Sequence, residues 1–421
     1  MPAASADSGP DHRPTDRDDQ LPLRPDHRPT TLDLDERIRR RLDGGDDDRG
    51  LVLDRTALSP VVHPSEPTGR GPAIERFLDR LGPAFEGARP PPLYVHGPKG
   101  AGKTAVVRAV VDRLSVRTRR HDGTVPTATR HGRPGTLAFV LVDARRADSE
   151  FGLYRTVLDA LVDEPVPSQG VGTDRLQSRL ADRIDALDGA VVVVDHVGEP
   201  GTHTAAEVAD LLAAAGPTVV PVAVGRTHPD AVQWAPARTL EITPQGRHAV
   251  ADVLATRAAA GLTRDALPYD AARQLAAWAD GDIHGALAAL FGAVVAAEHR
   301  GARRRLSDAD LERGRAAVPD DAVALGQALA LDTARRGVLR ALVALDDDGR
   351  SSVGGAASAV ARTDGVDLSA ATVERIVYEL AEAGFVRRVR RERVEGAGRP
   401  PSRVDPLVPT VPFLELTDRA Q

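Results

Sequence analysis

The chain has 421 residues and is 42% apolar, yet holds only 7 Phe, 4 Tyr and 2 Trp, so Ala, Val and Leu must supply most of any core. That length exceeds a lone binding module and accommodates two or three domains. The absence of cysteine excludes disulfides, thiolate metal sites and a cysteine nucleophile. The net charge of −6 is mild, and the 55 basic residues include just two lysines, Lys99 and Lys103, which marks a place where a guanidinium does not serve.

Residues 1–50 carry 13 acidic residues and 9 arginines with no aromatic, a composition that predicts a disordered charged arm. The N-terminus has no apolar core of signal-peptide length, and the longest apolar run, Ala286 to Ala297, is too short to span a bilayer, so the expectation is a soluble cytoplasmic protein without a membrane partner.

From Pro72 onward Ile74, Phe77, Leu78, Leu81 and Phe85 recur at helical spacing until Pro90, Pro91 and Pro92 stop the helix. A short strand, Leu93 to His96, leads into glycine-rich sequence and a helix over Thr104 to Leu114. Further strands are predicted at Thr136 to Val142, Ala190 to Val194 and Thr218 to Val224. These runs are β-branched with little polar alternation, as in strands buried on both faces, and helices alternate with them, so a parallel α/β sheet follows.

After Pro244 alanine-rich helices take over, at Gly246 to Ala259, Tyr269 to Ala279 and His284 to His299. A third unit follows, with helices at Thr333 to Leu345, near Ser351 to Ala361 and at Ser369 to Ala383. Gly384 caps the last of these, and Phe385 to Val394 reads as a strand entering an arginine-rich turn. Helices followed by a β-ribbon predict a winged helix-turn-helix.

The segment Gly97-Pro98-Lys99-Gly100-Ala101-Gly102-Lys103-Thr104 fits G-x-x-x-x-G-K-[ST] between a strand and a helix. Glycines let successive backbone N–H groups curl around phosphate oxygens, and the helix N-terminus adds partial positive charge. Residues Gly97 to Thr104, with Ala105, are therefore the predicted phosphate loop for ATP or ADP. Lys103 would reach the β- and γ-phosphates and Thr104 would ligate Mg²⁺. Such a loop needs an acidic residue on a nearby strand to hold the Mg²⁺ water shell, and Asp195, ending the strand 190–194, supplies it.

The ordered set resembles the archaeal origin-recognition and cell-division-control replication initiators, AAA+ ATPases with a helical lid and a C-terminal winged helix. It comprises Gly69-Arg70 before a helix, Leu81 to Gly87, the phosphate loop, Val140 to Asp143 with Tyr154, and Val166 to Gly170. It continues through the Asp195 strand, Ile242-Thr243-Pro244 with Arg257, and Gly281 to Leu287. The domains this resemblance implies are an AAA+ base at 51–240, a lid at 241–318 and a winged-helix DNA-binding domain at 325–421. It also adds Arg70, Arg226 and His284 to the nucleotide-binding residues. This chain departs from the pattern of those similar proteins at the catalytic positions. His196 stands where a water-polarising glutamate follows the aspartate, Arg226 or Thr227 replaces a polar sensor, His284 replaces a lid arginine, and Gln245 replaces an aromatic after Pro244. His196 is thus the candidate catalytic residue. Hydrolysis is expected to be slow or absent, with Glu199 able to substitute only if the intervening turn folds back.

Between Gly384 and Arg403 seven arginines face two glutamates, a concentration that suits phosphate contact by a wing. The candidate double-stranded DNA contacts are Thr372 and Arg375 on the 369–383 helix, with Tyr378 beside them, and Arg387, Arg388, Arg390, Arg391, Arg393 and Arg399 on the ribbon. Arg145 and Arg146 lie near the place where similar initiators insert a DNA-contacting helix. The resemblance further implies a cytoplasmic, nucleoid-associated protein that recognises replication origins, acts as a monomer or a DNA-assembled oligomer, and loads a replicative helicase. Two alternatives stay open: an initiator-derived ATP-dependent DNA-binding regulator, and an active signalling NTPase whose wing binds a protein.

Overall fold

In the computed structural model, residues 50–122, 137–390 and 402–419 are described; the charged arm and the wing residues Arg391, Arg393 and Arg399 lie outside them. A short helix α1 (Arg55–Leu58) and α2 (Gly71–Phe85), with Pro72 in its first turn, precede the sheet. Then come β1 (Leu93–His96), α3 (Lys103–Asp122), β2 (Ala138–Asp143), α4 (Glu150–Leu161), α5 (Thr173–Asp185), β3 (Ala190–Val197), α6 (Ala205–Ala215), β4 (Val219–Gly225) and β5 (Arg238–Glu241).

All strand pairs in this sheet are parallel, in the order β2-β3-β4-β1-β5. The valine-rich strands bury both faces, as expected when helices cover each side. Tyr94, Val192 and Val194 pack with Leu153, Leu180 and Leu212 of α4, α5 and α6, whereas Val95, Val191 and Val193 pack with Phe77 of α2 and Val107 of α3. Because β1 sits between β4 and β5, the loop leaving its C-terminal end opens beside the ends of β3 and β4, where Asp195 and Arg226 lie.

The helices after Pro244 are α7 (Arg247–Gly261), α8 (Tyr269–Ala279), α9 (Ile283–His299) and α10 (Asp308–Ala316). Arg257 on α7 donates to the Ser59 and Val62 carbonyls and so ties the segment before α2 to this helical unit. The C-terminal unit is α11 (Leu325–Leu329), α12 (Thr333–Ala344), α13 (Val353–Val360), α14 (Ala370–Glu382), the antiparallel pair β6 (Val386–Arg390) and β7 (Ser402–Pro406), and α15 (Thr410–Asp418). Three helices followed by a two-stranded ribbon make a winged helix-turn-helix. Of the span 385–394 read as a strand from sequence, Val386–Arg390 form β6, and residues 391–394 lie outside the described residues. Buried residues of α9, such as Leu290 and Phe291, and of the C-terminal unit, such as Leu339 and Phe413, form one contiguous apolar cluster. No helix among the described residues is long and apolar enough to cross a membrane.

Candidate nucleotide site

The loop between β1 and α3 can turn because its glycines take backbone conformations closed to other residues. Gly97, Gly100 and Gly102 have φ of 152°, 73° and 79°. A Cβ on Gly97 would stand 2.1 Å from the Ile242 carbonyl, and one on Gly100 would stand 2.1 Å from Asp282 Oδ1, so the loop is pressed between β5's exit and the start of α9. Lys103 opens α3, with Thr104 and Ala105 in the same first turn. Its ammonium donates to the Gly97 and Pro98 carbonyls at 2.7 and 2.9 Å. Burial pulls the Lys103 pKa down to about 8, with Asp195 and Glu199 opposing the shift and Arg226 adding to it.

The two lysines divide the work. Lys99 Nζ lies 2.9 Å from Asp282 Oδ2, while Asp282 Oδ1 accepts the Gly285 N–H and caps α9, so Lys99 fastens the phosphate loop to the lid. Arg70, buried at the start of α2, donates to the Thr243 carbonyl at 2.9 Å and to the Ala101 carbonyl. It therefore braces the loop from the other side. Gln245 is buried and donates to the Thr68 carbonyl at 3.0 Å.

Across the sheet edge, β3 changes register against β4 between Asp195 and Val197, and the intervening His196 has φ 67°. This bulge re-aims the strand end. The His196 N–H donates to Asp195 Oδ1 at 2.8 Å, and its ring lies between two carboxylates, with Nε2 3.5 Å from Asp195 Oδ2 and Nδ1 3.2 Å from Glu199 Oε1. The following turn does fold back: Gly198 N–H donates to the His203 carbonyl at 2.8 Å, and the Thr202 hydroxyl donates to the His196 carbonyl at 3.0 Å. Glu199 thereby returns to the strand end with its side chain 4% exposed, and Arg226 NH2 reaches its Oε1 at 2.7 Å. Burial would raise the Glu199 pKa, but His196, Arg226 and Arg145 outweigh it and hold the carboxyl below its ordinary range. Asp195 Oδ2 and Glu199 Oε2 are buried without a hydrogen-bond donor. The uncommitted Asp195 oxygen, near enough for its charge to act on Lys103, fits the water shell of a divalent cation.

Arg145 is not available to DNA as the sequence suggested. It makes a two-pronged pair with Asp143 (2.8 and 2.7 Å) and its side chain is 13% exposed, because Asp143 ends β2 in register with Asp195 and would otherwise be an unpaired half-buried carboxylate. Arg146 is exposed. His284, in the first turn of α9, accepts the Leu325 N–H on Nε2 at 2.9 Å. The site's sequence reading did not anticipate the Asp143–Arg145 pair, the Lys99–Asp282 bridge or this link to α11.

On the winged helix, Arg388 stacks over the Tyr378 ring, 4.8 Å from its centroid, joining ribbon to helix α14. Arg375 pairs with Glu379, and Thr372 holds the Ser369 cap. Arg387 reaches Asp321 at 3.2 Å, and Arg390 ends β6.

Sheet order, phosphate loop and opposed aspartate define the AAA+ P-loop fold, with a helical lid and a winged helix. Residues 66–225 match the sequence profile of the AAA ATPase domain. The relatives it matches bear out the resemblance to archaeal replication initiators. The chain is 25% identical over 144 residues to ORC1-type DNA replication protein 1 of Sulfurisphaera tokodaii, covering 34% of this chain and 32% of that protein. It is 26% identical over 174 residues to ORC1-type DNA replication protein 9 of Haloarcula marismortui, covering 39% and 38%. The matched stretches thus span about a third of these relatives' length. The fold is that of the Aeropyrum pernix ORC1 protein, solved in complex with DNA, with TM-score 0.57 and 22% identity over 88% of this chain and 96% of that one.

Proposed function

We propose that this chain is an ATP-binding, DNA-binding, initiator-like protein in which ATP acts mainly as a conformational ligand. The observation that carries this reading is the clamp around the phosphate loop: Arg70 holds it from the base and Lys99 ties it to Asp282 of the lid. A nucleotide entering that loop must act on both sides of the clamp at once, so the lid angle depends on what is bound. Because α9 shares its core with the winged helix, that angle bears on how the DNA-binding face is presented.

Thr104 and, through water, Asp195 would hold Mg²⁺, which neutralises phosphate charge when bound. Arg226 and His284, at the sensor positions, stand with Lys103 among the groups that would register the nucleotide. Hydrolysis is slow, because a histidine follows Asp195 and Glu199 is engaged by Arg226. Double-stranded DNA, of replication origins by analogy with the relatives, is the partner proposed for Arg375, Arg388 and the rest of the ribbon. Loading of a replicative helicase, nucleoid association in the cytoplasm and assembly on DNA belong to the same reading.

The test is a genome-wide occupancy map of the tagged protein beside a variant lacking Arg387, Arg388, Arg390 and Arg391. A few ribbon-dependent peaks at maxima of replication marker frequency support an initiator. Many promoter peaks select a regulator, and no enrichment overturns DNA binding in favour of a protein partner.

A further inference from the structure

The carboxylate four residues beyond Asp195 is placed for chemistry, although it stands at the wrong distance along the chain. A glutamate that served only to hold the turn would use both oxygens on it. Here one oxygen carries the whole structural load, accepting from Arg226 at 2.7 Å and meeting His196 at 3.2 Å, while Oε2 is buried with no donor at all. Leaving such an atom unpaired costs about 1–3 kcal/mol, and Oε2 shares that state with Asp195 Oδ2 at the same strand end, where a bound water or ion would satisfy both. The histidine is less suited to the same task. Its Nδ1 meets Glu199 at 3.2 Å and its Nε2 lies 3.5 Å from Asp195, so the ring is held between two carboxylates. Lys103 lies near enough for Glu199 to act on its charge.

We propose that Glu199 orients and deprotonates the attacking water in the residual ATP hydrolysis of this chain, and that Arg226 and His196 are positioning residues that hold its carboxylate. The inference rests on the reading that the loop binds ATP. In the step, the water oxygen bonds to the γ-phosphorus while the bond from that phosphorus to the β–γ bridging oxygen breaks. Glu199 takes the water proton and returns it to solvent. ADP, inorganic phosphate and one proton result. Arg226 is partly exposed and lies at the end of β4, next to the phosphate loop's strand.

The full chain is loaded with a fluorescent ATP analogue and Mg²⁺, with protein in excess, and three quantities are read: nucleotide Kd, single-turnover rate and the ADP fraction bound at equilibrium. Glu199→Gln keeps an acceptor for Arg226 but not a base. It should leave Kd within about twofold, slow turnover by 10²-fold or more and hold the bound nucleotide as triphosphate. Glu199→Asp, the second variant should Gln fail to fold, should bind normally and turn over at an intermediate rate. Wild-type turnover no faster than that of Glu199→Gln at equal Kd overturns the proposal, as does a rate that falls with His196→Asn and not with Glu199→Gln. Either result leaves ATP binding standing. Failure of the wild type to bind nucleotide instead removes the reading on which the proposal rests.

Discussion

His284 Nε2 accepts the backbone N–H of Leu325 across 2.9 Å, joining the first turn of the lid helix α9 to the helix that opens the C-terminal unit. The bond requires a neutral ring. Desolvation pulls the His284 pKa down to about 4, with Lys99, Arg226 and Arg145 adding to the shift and Asp282 opposing it. Between pH 6.5 and 4 the unfolded chain therefore binds a proton that the folded chain refuses. The contribution is fully present above pH 6.5 and is lost as pH falls toward 4, about 3 kcal/mol over the whole window and about 2 kcal/mol of it by pH 5. Urea unfolding at pH 7.5 and pH 5 should show that loss in the wild type and a smaller one in His284→Gln, whose amide oxygen accepts the same N–H without titrating. Equal losses would remove the assignment.

Lys103 should bind nucleotide in a pH-dependent way. Its free-state pKa of about 8 means that phosphate binding must restore a proton at higher pH. Affinity for Mg²⁺-ATP should be flat below pH 7 and about tenfold weaker at pH 9. Lys103→Ala should abolish binding at every pH. Lys103→Arg keeps the charge and should bind weakly without the pH trend, which isothermal titration can read.

The Lys99–Asp282 bridge should couple loop to lid rather than supply much stability. Both side chains are partly exposed, so the ion pair itself contributes about 0.5–1 kcal/mol. Asp282→Ala also removes the α9 cap and should cost about 1 kcal/mol more than Lys99→Ala. In a double-mutant cycle on ATP affinity the two changes should be non-additive, because either one frees the lid.

Packing of α9 on α10 depends on Gly314. A Cβ there would lie 2.2 Å from the Ala289 carbonyl and 2.7 Å from the Ala293 nitrogen, both backbone atoms that cannot step aside. Gly314→Ala should lower unfolding free energy by about 3 kcal/mol. At Gly292 the nearest atom is the Gly314 Cα at 3.3 Å, and Gly292→Ala should cost far less. Denaturation midpoints of the two variants decide the point.

Much of the base was legible because its signals are local. The phosphate loop needs its glycines in sequence, and short valine runs favour strands buried on both faces, so β1 and β4 fell within a residue of their predicted spans, while β3 ran three residues beyond Val194. What pairs across the site was hidden. Asp143 and Arg145 are two residues apart, but nothing in that spacing says that β2 ends level with Asp195 and forces Arg145 inward. Lys99 stood out by rarity, yet its partner lies 183 residues away. The return of Glu199 hinges on His196 adopting φ 67°, a conformation that sequence rules assign to glycine or asparagine before histidine.

The ribbon offers the sharpest reading of DNA contact through salt. If Arg388 neutralises one phosphate, Arg388→Ala should reduce the slope of log affinity against log salt by about 0.9, with little change in sequence preference. Tyr378 is 39% exposed and its ring carries the Arg388 guanidinium, so Tyr378→Ala should unseat the arginine and weaken binding while leaving the charge and most of the slope intact. Arg387 is engaged by Asp321, so Arg387→Ala should change the slope less than Arg388→Ala does. Fluorescence anisotropy on a duplex between 50 and 300 mM salt separates these cases. An unchanged slope in Arg388→Ala would take this arginine off the phosphate backbone and make its stacking on Tyr378 a purely internal brace.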